Sequence, residues 1–170
     1  MKQNLTTGNP DRKTRHYEDP QDIPEKYADL VEELRTKAQK VRAFYIRKLT
    51  SGNSAVAILE LETGRVYSEE ATSKADPLNI PGEEDGPKLF FEPRLNRRAS
   101  CNNKENAEYK IFNALAEHLE RDDVSLDVEG ILYLYTEREM CSGCYITCDE
   151  DFKMKFPNIQ VIIFYKEPYR

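Results

Sequence analysis

Thr136-Glu137-Arg138-Glu139-Met140-Cys141-Ser142-Gly143-Cys144 is the stretch whose reading decides the fold. Directly before it, Gly130-Ile131-Leu132-Tyr133-Leu134-Tyr135 is rich in β-branched and aromatic residues, the pattern of a buried strand. The strand runs into a short polar turn, and the turn opens a helix through Tyr145 and Ile146 to Phe156. Cys141 and Cys144 therefore fall at a helix start, three positions apart and on one face. Two thiols so placed can ligate one metal ion, and the positive end of the helix dipole favours their thiolate forms. A Cys-x-x-Cys after a strand is equally the pattern of a dithiol redox motif. What separates the two readings lies upstream, at Asn106-Ala107-Glu108.

Working outward, Pro157-Asn158 ends the cysteine helix, and Ile159-Gln160-Val161-Ile162-Ile163-Phe164-Tyr165 forms a last strand. Strand, helix and strand make a crossover unit, which sets its two strands parallel in one sheet. Upstream, Asn106 to Arg121 is amphipathic, with Ala107, Ile111, Ala114, Leu115, His118 and Leu119 on or near one stripe and Asn102 or Asn103 as its cap. His118 reads as a packing or dipole-complementing residue, without a chemical role. Ala55 to Glu62 and Arg65 to Ser68 flank the turn Thr63-Gly64 and form a β-hairpin. Tyr27, Leu30, Val31, Leu34, Ala38 and Val41 predict a first helix from Pro24 to about Phe44, with Asp22 before it as a cap. Residues 71–93 form a long loop, and such loops tend to be functional. Arg94-Leu95-Asn96-Arg97-Arg98, the dense basic segment after it, is either a solvated loop or a rim that contacts phosphate. The economical architecture is a mixed α/β sheet flanked by helices.

The chain has 170 residues, enough for one domain with a real core, expected over 23–170 behind a flexible polar leader at 1–22. With 33% charged and 39% hydrophobic residues and a net charge of −6, it reads as a cytoplasmic-type soluble domain. That balance carries no global attraction to nucleic acid or to an anionic membrane. No apolar run reaches bilayer length, and Met1-Lys2-Gln3-Asn4-Leu5 lacks the apolar core of a signal peptide. The 4 cysteines are Cys101, Cys141, Cys144 and Cys148, and the crowding of the last three suits a metal site better than a disulfide scaffold.

Hydrolytic zinc chemistry needs three protein ligands, an open position for water and a carboxylate that carries protons. Glu108 on one helix start and Cys141 and Cys144 on another, packed side by side on one sheet, would converge on one metal. The order Asn106-Ala107-Glu108-Tyr109-Lys110-Ile111, the strand from Gly130, Thr136-Glu137, Cys141-Ser142-Gly143-Cys144, and Phe152-Lys153 to Ile159 resembles the bacterial toxin deaminases. These are a branch of the zinc-dependent nucleobase deaminases, whose signature is His-x-Glu followed by Pro-Cys-x-x-Cys. The upstream Gly52-Asn53-Ser54-Ala55-Val56-Ala57 fits the same branch, so the likeness spans roughly Ser51 to Tyr165.

The resemblance implies a cytidine-deaminase-like fold, a Zn2+ cofactor and hydrolytic deamination of a nucleobase, cytosine favoured, in a nucleic acid or nucleotide. It also implies a toxin effector exported as part of a toxin system, with an immunity protein as partner. Residue by residue, Cys141 and Cys144 become zinc thiolates and Glu108 the carboxylate that passes protons from water to the ring nitrogen and the leaving amine. Thr136 and Glu137 line the base pocket; Arg97 and Arg98, read from the basic segment itself and not from the resemblance, are the candidates for a substrate rim. Met140 replaces the usual Pro, and Asn106 replaces the usual His, so the third ligand is either Asn106 or Cys101. The alternative is a catalytically degenerate binding module of the same fold held by a structural zinc. Cys148 reads as a buried small apolar residue; if it joined Cys101 at the metal, the site would close as four thiolates.

Overall fold

The structure, a computed structural model, describes residues 13–46, 52–73, 90–95, 103 and 106–168. In chain order it contains β1 (Arg15–Glu18), α1 (Ala28–Val41), β2 (Ser54–Leu61), β3 (Val66–Thr72), α2 (Ala107–Arg121), β4 (Gly130–Arg138), α3 (Ser142–Ile146) and β5 (Ile159–Glu167). A 3-10 turn leads into α1, and a π-helical stretch at Arg42–Ile46 follows it. α3 runs on through a π-helical stretch (Thr147–Phe152) into a last turn (Lys153–Lys155), so the cysteine helix spans the segment the sequence predicts.

The sheet has the strand order β1-β5-β4-β2-β3. β4 and β5 are parallel, as a crossover through the cysteine helix requires, while β2 is antiparallel to both β3 and β4. The hairpin turns at Gly64, whose φ of 93° only glycine adopts without strain. Thr136 on β4 sits opposite Ala55 on β2 and Tyr165 on β5.

Strand alternation decides what packs where. Ala55, Ala57, Leu59, Leu132, Leu134, Val161 and Ile163 face one side, with Ile111, Phe112, Leu115 and Leu119 of α2 and with Cys144, Cys148, Phe152 and Phe156. Val56, Ile58, Tyr135, Ile162 and Phe164 face the other, under Val31, Leu34, Ala38 and Val41 of α1. A sheet covered on both faces explains why β4 and β5 read as nearly continuous apolar runs. It also puts α2 and α3 side by side on one face, and that adjacency builds the site. Among the described residues no helix is long and apolar enough to cross a membrane.

Residues 13–22 differ from the expected flexible leader. Arg15–Glu18 form β1, parallel to β5, with Tyr17 opposite Phe164 and stacked on its ring at 5.9 Å. Four residues of mixed polarity leave no periodicity to detect. Asp19, 3% exposed, then receives Arg35 Nη2 at 2.6 Å, Arg35 Nε at 2.7 Å and the Tyr135 hydroxyl at 2.8 Å. Burial pushes the Asp19 carboxyl up, and the hydrogen bonds from Arg35 and Tyr135 outweigh it, leaving its pKa below the ordinary value. The stability this contributes is complete above the ordinary carboxylate pKa and disappears as pH falls through the lower folded value. Asp19→Ala is expected to cost roughly 2–4 kcal/mol at neutral pH, less than a fully buried pair because Arg35 is partly solvated. Urea unfolding at a series of pH values checks this: the gap to the parent protein should close in acid, and a gap that stays constant contradicts it.

Candidate active site

The starts of α2 and α3 lie next to each other above the sheet. Asn106 precedes α2 with φ −70° and ψ 141°, and Cys141 precedes α3 with φ −70° and ψ 167°. Both are extended backbone positions at a helix N-cap, and neither side chain caps its own helix. The Asn106 carboxamide instead reaches across, with Nδ2 3.2 Å from Cys141 Sγ and 3.4 Å from Cys144 Sγ. Two sulfurs and one amide thus share one small volume.

Asn103, expected as a cap of α2, does not cap it, since Asn106 holds that position, and its side chain serves the neighbouring cysteine helix instead. Its Nδ2 donates to Thr147 Oγ1 at 2.9 Å and lies 3.6 Å from Cys144 Sγ. Its Oδ1 accepts from the Arg94 N–H at 2.7 Å, and its own N–H donates to the Arg94 carbonyl at 2.9 Å. Arg94 forms a two-point ion pair with Asp151, at 2.6 and 3.0 Å, so its guanidinium is engaged by the cysteine helix. The same carbonyl presses on the helix start: a Cβ at Gly143 would stand 2.8 Å from Arg94 O. The residue just before Cys144 must therefore be glycine for this approach.

Glu108, in the first turn of α2 and 4% exposed, completes the group. Its Oε1 accepts from Asn53 Nδ2 at 2.8 Å and from Thr136 Oγ1 at 2.6 Å. Its Oε2 lies 4.0 Å from Cys144 Sγ. Burial raises the Glu108 pKa against the lowering effect of the Thr136 and Asn53 hydrogen bonds. The Cys141 thiol is lowered to about 6, first by a hydrogen bond from Cys144 and then by the N–H groups of Cys144 and Gly143 at the helix start. Cys144, which gives that hydrogen bond and is fully buried, moves up.

The structure brings together Glu108, Cys141, Cys144, Asn106 and Thr136. It does not bring Glu137, whose neighbour-to-neighbour alternation with Thr136 turns it to the α1 face. There Glu137 takes Arg42 Nε at 2.7 Å and the Ser54 N–H at 2.9 Å. Cys148 is buried away from the site, its Sγ 3.9 Å from Thr14 Oγ1. His118 lies at the far end of α2 against Glu69, with its ring stacked on Tyr67. Cys101, Arg97 and Arg98 lie outside the described residues. Asn53 and Asn103 contribute in roles that sequence reasoning misses, because a buried asparagine is spelled like a turn or cap asparagine.

Among the described residues no group of three or more His, Cys, Asp or Glu is placed to hold a metal ion. The donor set is instead two sulfurs and a carboxamide. Two adjacent sulfurs at a helix start suit a thiophilic divalent ion, and rotating the Asn106 amide would turn its oxygen toward them as a third donor. The residues fit zinc on that basis, with a weaker third ligand than imidazole.

The family model of toxin-deaminase, described as the BURPS668_1122 family of deaminases, matches residues 31–167. No curated protein matches the chain.

Proposed function

The chain belongs to the toxin-deaminase family, and on that premise we propose that it is a zinc-dependent hydrolytic deaminase of a nucleobase and a toxin effector domain. Cytosine is favoured over adenine, in a nucleic acid or nucleotide, and a matching immunity protein is the expected partner. The observation that carries the reading is the meeting of Glu108 with Cys141 and Cys144 where two helix starts adjoin. Cys141 and Cys144 would hold the ion, with Asn106 or Cys101 as third ligand. A zinc ion held there supplies Lewis acidity and a water nucleophile at neutral pH.

The overall reaction adds water at the amidine carbon and releases ammonia. Glu108 is the proton carrier: burial raises its affinity for a proton, and Oε2 is the oxygen on the cysteine side. The enclosing protein keeps bulk water from levelling that shift. Arg97 and Arg98 are proposed to meet substrate phosphate. A net charge of −6 favours a small or single-stranded substrate over wide duplex contact.

Asn106 favours a second reading, a binding module with a structural zinc, because a neutral amide is a poor zinc ligand. The two separate on protein purified without chelator. Metal analysis and ammonia release are measured with cytidine, single-stranded DNA and RNA. One zinc per chain and ammonia from at least one probe is the expected result. Zinc without ammonia from any probe favours the binding module, and the absence of both removes the zinc-dependent reading.

A further inference from the structure

Both short hydrogen bonds to the Glu108 carboxylate fall on one oxygen, and their donors are Asn53, just ahead of β2, and Thr136 on β4. Oε1 takes both short hydrogen bonds, from Asn53 Nδ2 and Thr136 Oγ1, while Oε2 is turned toward Cys144. We infer that Asn53 and Thr136 are positioning residues that lock the Glu108 carboxylate with Oε2 toward the cysteines; this rests on the proposed deaminase reading.

Each holder is itself fixed. Asn53 is 8% exposed and spends its whole carboxamide: the two N–H bonds of Nδ2 go to Glu108 and to Thr136 Oγ1 at 2.7 Å, and Oδ1 accepts from the Arg138 N–H at 3.1 Å. Its backbone is clamped to Ser73, donating to Ser73 Oγ at 2.7 Å and accepting from the Ser73 N–H at 2.9 Å. Thr136 is fully buried in the middle strand, and its hydroxyl, 2.9 Å from the Arg138 carbonyl, donates to Glu108. Asn53, Thr136 and Glu108 thus form a closed triangle of hydrogen bonds, and a triangle cannot shear as a single bond can. A carboxylate on the first turn of a helix has rotamer freedom that burial alone does not remove. Tying Oε1 at two points removes it and keeps Oε2 directed toward Cys144. A misplacement of about 1 Å at a reacting group can lower a rate on the order of a hundredfold, which gives such a lock its value.

A purely structural role for the triangle would show as lost stability, with turnover per folded molecule unchanged. Thr136→Val keeps the shape of threonine and removes the hydroxyl, and Thr136→Ser restores it. With cytidine and a cytosine-containing single-stranded oligonucleotide as probes, Thr136→Val is expected to lower kcat about tenfold to a hundredfold with KM unchanged. Thr136→Ser should stay within about threefold of the parent, since the donor is retained. Equal kcat for the Val and Ser variants, or a raised KM with kcat intact, overturns the inference. A crystal structure of the doubly substituted Asn53→Ala, Thr136→Val protein supplies a readout independent of turnover. Glu108 should there have lost its fixed orientation, and Glu108 unmoved overturns the inference whatever the activity. Glu108→Gln distinguishes the two failures: full activity in that variant removes the deaminase reading itself. An inactive Glu108→Gln beside a fully active Thr136→Val removes only the positioning role.

Discussion

Glu108→Ala is expected to abolish ammonia release while leaving zinc bound. A general acid–base group typically contributes roughly a hundredfold to ten-thousandfold in rate. The loss here should reach the upper part of that range, because the proposed reaction gives one carboxylate several proton transfers in each turnover. Alanine also leaves Asn53 Nδ2 and Thr136 Oγ1 without their buried acceptor, which lowers stability for a reason unrelated to chemistry. Glu108→Gln separates the two effects. Its amide oxygen can still accept both hydrogen bonds, yet it cannot carry the proton. Gln should therefore be as inactive as Ala while unfolding near the parent midpoint. If Glu108 were only a first-turn acid complementing the helix dipole, it would contribute about 0.3–1 kcal/mol and nothing to turnover. A Gln variant with parental activity would decide for that ordinary role.

Cys144→Ser should empty the metal site, and Cys148→Ala should not. The two thiols are four residues apart on one helix, and both are fully buried, so burial does not distinguish them. Their neighbours do. Cys144 lies 3.4 Å from the Asn106 amide and 4.0 Å from Glu108, whereas Cys148, one turn further along the helix, lies against Thr14 just ahead of β1. Changing an outer-shell partner of a metal typically costs roughly 10–100-fold in affinity, and removing a ligand should exceed that. Competition titration against a chelator of known affinity provides the measurement. Comparable affinity in both variants would show that Cys144 is not a ligand and that the two helix starts have been wrongly combined.

Legibility from sequence followed the length and periodicity of each element. The hairpin could be read because Thr63-Gly64 separates two runs of strand type, and the crossover because an apolar run, a Cys-x-x-Cys turn and a second apolar run follow one another. β1 could not, since Arg-His-Tyr-Glu has no pattern of its own and becomes a strand only through β5. At the site, Glu108, Cys141 and Cys144 were legible as a spacing. Thr136 and Glu137 show where such reading slips: adjacent strand residues point to opposite faces, so they could not both line one pocket. Asn106 was visible as a substitution, but its reach to two sulfurs was not. Asn103 reads as a helix cap and Asn53 as part of a hairpin entry, and neither signal points to the site, because what puts them there is burial, a property of the packed molecule.

β1 has a practical consequence for anyone cutting this protein at the edge of the family match. A fragment starting at residue 31 would lack both β1 and Asp19. β5 would then become an outer strand nine residues long, with Ile162 and Phe164 at its flank and a row of N–H and C=O groups left to water. A long, largely apolar edge of that kind is a template for pairing with another chain. Such a trimmed protein should precipitate or associate edge to edge even though every residue of the candidate site is present. Its inactivity would then report on colloidal behaviour and say nothing about Glu108.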